Sequence, residues 1–175
     1  MTARTGATTT VVPTSATTDT SKLYQEGIVA GIVGAATVAI WFLILDSLNG
    51  RPLHTPTVLG TALFRRGVDL AALQTAPVSL DMVLMFTWVH GLVFAALGGV
   101  AARLLGMAER NPSLGFGVLL LFVVFEFVFT VSAMLFAEPV LNVLTWPAVL
   151  IANLLAAVAM GAYFRLRHPM LRVSP

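Results

Sequence analysis

The sequence predicts an all-α polytopic membrane protein, a bundle of four transmembrane helices. Three observations carry that reading. Hydrophobic residues make up 58% of the 175 and charged residues only 10%, with a mean hydropathy of +0.91. A water-soluble domain carries roughly 25% charged residues, so these few charges would not cover a water-facing surface. The apolar residues also gather into four runs, each about as long as a hydrocarbon core requires. Between the runs stand the proline, glycine and asparagine that end helices.

The first residues, "MTARTGATTTVVPTSATTDTS", offer almost nothing to bury, and residues 1–21 read as a disordered Thr/Ala-rich tail. No short apolar core with a small-residue cleavage site follows, so the first span is expected to serve as an uncleaved anchor. A transmembrane domain is expected over 22–168, with spans near 23–48, 82–105, 114–137 and 140–164 and a short tail at 169–175. Asn49-Gly50 and Pro52 stop the first span, while Pro77 and Ser79 lead into the second. Asn111-Pro112-Ser113 open the third; Pro139 opens the fourth and Pro169 follows it. Within lipid each run must be helical, because every backbone polar group needs an internal partner. The long connection after the first span contains Val58, Leu59, Ala62 and Leu63, then Arg65-Arg66. That spacing suits a short interfacial helix, lying in the interface plane or covering the outer mouth of the bundle.

Four spans place both termini and the second-to-third loop on one side. That side holds seven Lys and Arg: Arg4, Lys22, Arg103, Arg110, Arg165, Arg167 and Arg172. The other holds three, Arg51, Arg65 and Arg66. The bias puts both termini in the cytoplasm. Trp41, Trp88 and Trp146 fall toward the outer ends and Tyr24 and Tyr163 toward the inner ends, as interfacial aromatics do. The net charge of +2 and pI near 9.7 reflect these scattered topology signals and not a phosphate-tracking stripe, so nucleic acid is not an expected partner.

Small residues mark packing faces. Gly27, Gly31, Ala35 and Ala39 form a stripe on the first helix, and Gly91, Ala95 and Gly99 form one on the second. Such stripes let backbones approach where lipid removes the hydrophobic drive between helices. They serve packing within the bundle or, alternatively, a homodimer face.

Candidate chemistry is confined to one layer. Measured from the outer ends at about 1.5 Å per residue, Thr37 and His90 lie roughly 12 Å deep, Glu126 about 15 Å and Asn153 about 18 Å. Glu126 interrupts "FVVFEFVF", where a charged carboxylate costs a few kcal/mol, so it is expected to be neutral or paired with His90 or Asn153. The layer reads as interhelical hydrogen bonding, as a proton- or ion-handling site, or as a pigment or haem site with His90 as axial ligand. The last is sterically awkward, since Phe86 and Phe94 flank His90 by four residues, and no second in-span histidine exists for two-histidine ligation. The chain has no cysteine, which removes thiolate metal sites, iron–sulfur clusters and covalent c-type haem. Di-iron carboxylate repeats and nucleophile motifs are also missing, so no metal ligand set, catalytic residue or resident cofactor is assigned.

The runs "GIVAGIVGAATVAIWFLILDSLNGRPLHTPTVLGTALF", "FVVFEFVF" and "AMGAYFRLRHPML" resemble small four-span bacterial inner-membrane proteins, over about Gly27 to Leu171. The resemblance implies the architecture and a multi-pass inner-membrane location, and no activity. The functional expectation is a non-catalytic accessory or assembly subunit of a larger membrane complex, respiratory or photosynthetic, with other membrane subunits as partners. The alternative is a small proton- or ion-handling protein or membrane enzyme built on Glu126, His90 and Asn153.

Overall fold

The computed structural model describes residues 15–65, 75, 77–110 and 145–167. These form four helices: α1, Ser15–Leu48; α2, His54–Phe64; α3, Leu80–Arg110; and α4, Trp146–Arg167. Among them α1, α3 and α4 are long and apolar enough to cross a membrane. The expected third span, with Glu126, lies outside the described residues, as do the tails at 1–14 and 168–175 and residues 140–144 at the head of the fourth span.

α1 starts at Ser15, earlier than the tail boundary at residue 21 suggests. Once a long helix is nucleated, each added residue makes one more hydrogen bond, so polar residues that would not start a helix can extend one. At its other end the Asn49-Gly50 stop acts as expected. Gly50, at φ +69°, donates its N–H to Ser47 O at 3.0 Å, and Arg51 N–H donates to Asp46 O at 2.8 Å. This paired closure around a left-handed glycine is the Schellman motif. Leu53 repeats the left-handed conformation at φ +64°, which costs a non-glycine residue roughly 1–2 kcal/mol. Thr57 holds it there, donating both its N–H at 3.3 Å and its hydroxyl at 2.8 Å to Leu53 O.

α2 is the short helix expected after the first span, but it buries a different face. His54, Thr55, Thr57, Val58, Gly60 and Thr61 are buried, whereas Leu63 and Phe64 are exposed. The physical reason is that the threonines satisfy themselves. Thr57 and Thr61 bond back to carbonyls one turn earlier, leaving methyl-bearing surface for packing, and Gly60 lets the α2 backbone meet the carbonyl of Met82 on α3.

α1 is the central element. Gly27 lies against Gly98 and Ala102, Gly31 against Phe94 and Ala95, and Ala35 against His90, so α3 runs antiparallel to α1. Phe164 packs with Ala30, Met160 lies against Gly34, and the Trp41 indole N–H donates to Ala148 O at 3.0 Å. α4 is therefore also antiparallel to α1, and parallel to α3. One end of the bundle carries Lys22, Arg103, Arg165 and Arg167, with the Arg103 guanidinium donating to the Tyr24 hydroxyl at 2.9 Å. The other end carries α2.

Candidate functional site

Three members of the expected polar layer are described, and the helix register locates them. Matching α1 to α3 through Gly31–Phe94 and Ala35–His90, and to α4 through Gly34–Met160 and Trp41–Ala148, sets Thr37, His90 and Asn153 within about 5–6 Å along the bundle axis. They share a level, with Asn153 nearer the α2 end than His90. No hydrogen bond joins them to one another. Thr37 donates its hydroxyl to Val33 O, one turn back on its own helix, at 2.8 Å. The Asn153 side chain is half-buried, and its amide makes no hydrogen bond among the described residues.

His90 is held on three sides. Its Nε2 lies 3.3 Å from Ala35 O, and a carbonyl can only accept, so that nitrogen carries the proton. Phe86 stacks on the ring with centroids 5.6 Å apart, and Phe94 tilts against it at 4.7 Å. The histidine thus crosses to a carbonyl on the small-residue stripe of α1. An axial ligand for a haem or pigment would have to bind through Nδ1 or surrender the Ala35 bond, and the macrocycle would have to displace the flanking phenylalanines. The described geometry does not fit a macrocycle at His90. Nor do the described residues gather three His, Asp or Glu at one point.

The glycines divide unevenly. Gly27 and Gly31 sit against α3 backbone, and Ala35 is buried with them. On α3 the deepest contact comes from Gly98, where an added Cβ would strike the Gly27 carbonyl and sit 2.6 Å from Gly31 N. Ala95 joins that contact, and the Gly99 Cα approaches Gly27, but a Cβ at Gly91 would meet nothing within 4 Å. Ala39 is exposed. The α3 stripe is therefore rotated from Gly91–Ala95–Gly99 toward Ala95–Gly98–Ala102.

A second polar cluster, at the α2 end, escaped the sequence reading. Asp46, buried near the end of α1, accepts from the Thr55 backbone N–H and hydroxyl, each at 2.7 Å. Leu53 supplies no side-chain cap to α2, so Asp46 caps it from another helix. A carboxylate there meets both the unpaired first-turn N–H groups and the positive end of the helix dipole. The available signal was an acid three residues before the Asn49-Gly50 stop, at the end of an apolar run. The Ser79 N–H reaches Thr57 Oγ1 at 3.4 Å, linking α2 to the entrance of α3.

His54 opens α2 beside this cluster. Burial pushes its imidazole below the ordinary value of 6.5, and the Arg51 charge adds to that, while Asp46 opposes both. The neutral ring is thus favoured in the fold. Below about pH 6.5 the unfolded chain takes up a proton that the folded chain resists, so stability should fall as pH drops. Thermal unfolding in detergent between about pH 7.5 and 5.5 should show that loss, and His54→Gln should flatten the dependence.

Fold and site together define an all-α membrane protein whose described polar side chains mostly serve helix–helix and helix–loop bonds. No protein-family model, curated protein or solved structure matches the chain.

Proposed function

We propose that the chain is a non-catalytic accessory or assembly subunit of a larger complex in the bacterial inner membrane, an electron-transfer complex being the partner class. It crosses four times, with both termini in the cytoplasm. The observation that carries this reading is the use of the titratable groups. His90 is spent on the Ala35 carbonyl between two phenylalanine rings, and Asp46 is spent on capping α2. Groups tied down in this way stabilise a scaffold and are poorly placed to exchange protons or ligands. The helix directions support the fourth crossing: α3 and α4 are parallel, so the chain between them has to return across the bundle. Clustering of Lys22, Arg103, Arg165 and Arg167 at one end supports the orientation.

The native protein, extracted in mild detergent, should migrate far above 18.6 kDa with other membrane chains at fixed stoichiometry. A clean monomer or homodimer would remove the reading. The orientation is checked in the same cells. A membrane-impermeant thiol reagent should label Pro56→Cys and spare Thr5→Cys, with no background because the chain lacks cysteine.

A second reading keeps proton or ion handling by Glu126 with His90 and Asn153. It is favoured by one observation, the common level of Thr37, His90 and Asn153. Glu126→Gln separates the two. A substitution that abolishes a measured proton flux while leaving stability intact would establish this second reading.

A further inference from the structure

We propose that the apolar run 114–137 seats in the seam between α3 and α4, diagonally across the bundle from α1; this rests on the four-span reading above. The surface is set by the directions and flanks of the described helices. α3 meets α1 along Gly27, Gly31 and Ala35, and α4 meets it along Ala30, Gly34 and Trp41. At 100° per residue these stripes are neighbouring flanks of one helix, so α3 and α4 form a V with α1 at its apex. Both pack chiefly on α1 and little on each other. The open side of the V carries exposed apolar residues, among them Val93 and Val100 on α3 and Leu150 and Leu154 on α4.

Exposure by itself selects nothing in lipid, where tails are as apolar as leucine. The occupant follows from the chain. It leaves α3 at Arg110 on the basic end and enters α4 at Trp146 on the α2 end. On the four-span reading residues 111–113 and 138–145 would be the connections, and short connections join spatial neighbours. They tether one end of the run beside α3 and the other beside α4. As a helix the run would extend about 36 Å, enough to cover the seam. The far flank of α1, with Ile32 and Ile40 exposed, lies behind the apex and touches neither tether.

Polar chemistry agrees with the same occupant. Asn153 shares a flank of α4 with Met160 and Phe164, the residues that α4 turns toward Gly34 and Ala30. Its half-buried amide has no hydrogen bond among the described residues. An unsatisfied amide in hydrocarbon costs several kcal/mol. The run brings Glu126, Thr130 and Ser132 to the side on which that amide lies.

Cysteine pairs test the placement in the full-length, naturally cysteine-free chain. Single cysteines scanned through residues 121–131 are combined with Val93→Cys, Leu154→Cys, Ile32→Cys or Ile40→Cys, then oxidised in native membranes. Intramolecular cross-links are expected to both Val93→Cys and Leu154→Cys, recurring every three to four positions, and to neither α1 residue. Cross-links to Ile32→Cys or Ile40→Cys, or none to any of the four, overturn the placement. Dimer-sized cross-links alone would mean that a second copy fills the seam, which also overturns it. A separate arm tests the crossing itself, by labelling Ser113→Cys and Glu138→Cys with an impermeant thiol reagent. Labelling of both from one side would sink the four-span reading, whereas labelling from opposite sides with the wrong cross-links would sink only the placement.

Discussion

Gly98→Ala should destabilise the bundle by at least about 1–3 kcal/mol, the usual cost of forcing extra volume into a packed contact. The figure is a lower bound, because the new Cβ meets backbone that cannot rotate aside. It would press on the Gly27 carbonyl and lie 2.6 Å from Gly31 N and 2.9 Å from its Cα. Relief requires moving α1 away from α3 along the Gly27–Gly31 contact, which also disturbs Ala102 and Ala30 in the core. Gly91→Ala is the matched control. A Cβ there meets nothing within 4 Å, and exchanging glycine for alanine inside a helix gains about 1 kcal/mol of propensity in water. The pair should therefore move apparent melting temperature in detergent in opposite directions. Equal losses at both positions would mean that α3 is rotated from the orientation described here.

Asp46→Ala should cost about 2–3 kcal/mol, with its effect concentrated on α2. The substitution removes a charge-assisted acceptor from both the Thr55 N–H and the Thr55 hydroxyl. Neither donor has water at hand to replace it, since Thr55 is buried. α2 also loses its only described N-terminal cap, because Leu53 provides none. Hydrogen exchange should rise across His54–Phe64 and stay unchanged through the centre of α3. Asp46→Asn keeps the shape and one acceptor oxygen, so it should fall between the wild type and Asp46→Ala. Thr55→Val removes one of the two bonds and its unpaired donor together, so it should cost less than Asp46→Ala. An Asp46→Ala protein with unaltered exchange in α2 would show that the cap contributes nothing.

Much of the fold was legible because lipid leaves a chain few options. Uninterrupted apolar runs of spanning length must be helices, and the runs near 23–48 and 82–105 fall inside α1 and α3. The Asn49-Gly50 stop was readable for a local reason: a glycine can take the left-handed conformation that closes a helix. Helix rotation was not readable in this way. Gly98 and Gly99 are adjacent and point 100° apart, so a single-helix pattern accommodates either a 91–95–99 or a 95–98–102 stripe. The choice was made by the partner, since Gly98 lies against both Gly27 and Gly31 whereas a Cβ at Gly91 would meet nothing within 4 Å.

The candidate site divides along the same line. Sequence placed Thr37, His90 and Asn153 at a common depth because depth is a sum of residues along each helix. It could not assign their partners, which depend on which faces turn toward each other. His90 reaches a carbonyl on the small-residue stripe of α1, a partner that no pattern within α3 specifies. Its side chain is long enough to cross from one flank of α3 to the neighbouring helix. Asp46 was overlooked because the donors it serves belong to another helix, beyond a reversal of the chain. By itself, then, the sequence determined that this chain forms membrane-length helices and where the first of them stops; both follow from local composition. Only the tertiary structure decided which glycines touch, which carbonyl holds His90 and which carboxylate caps α2. Those depend on the relative rotation of helices, which only packing between them sets.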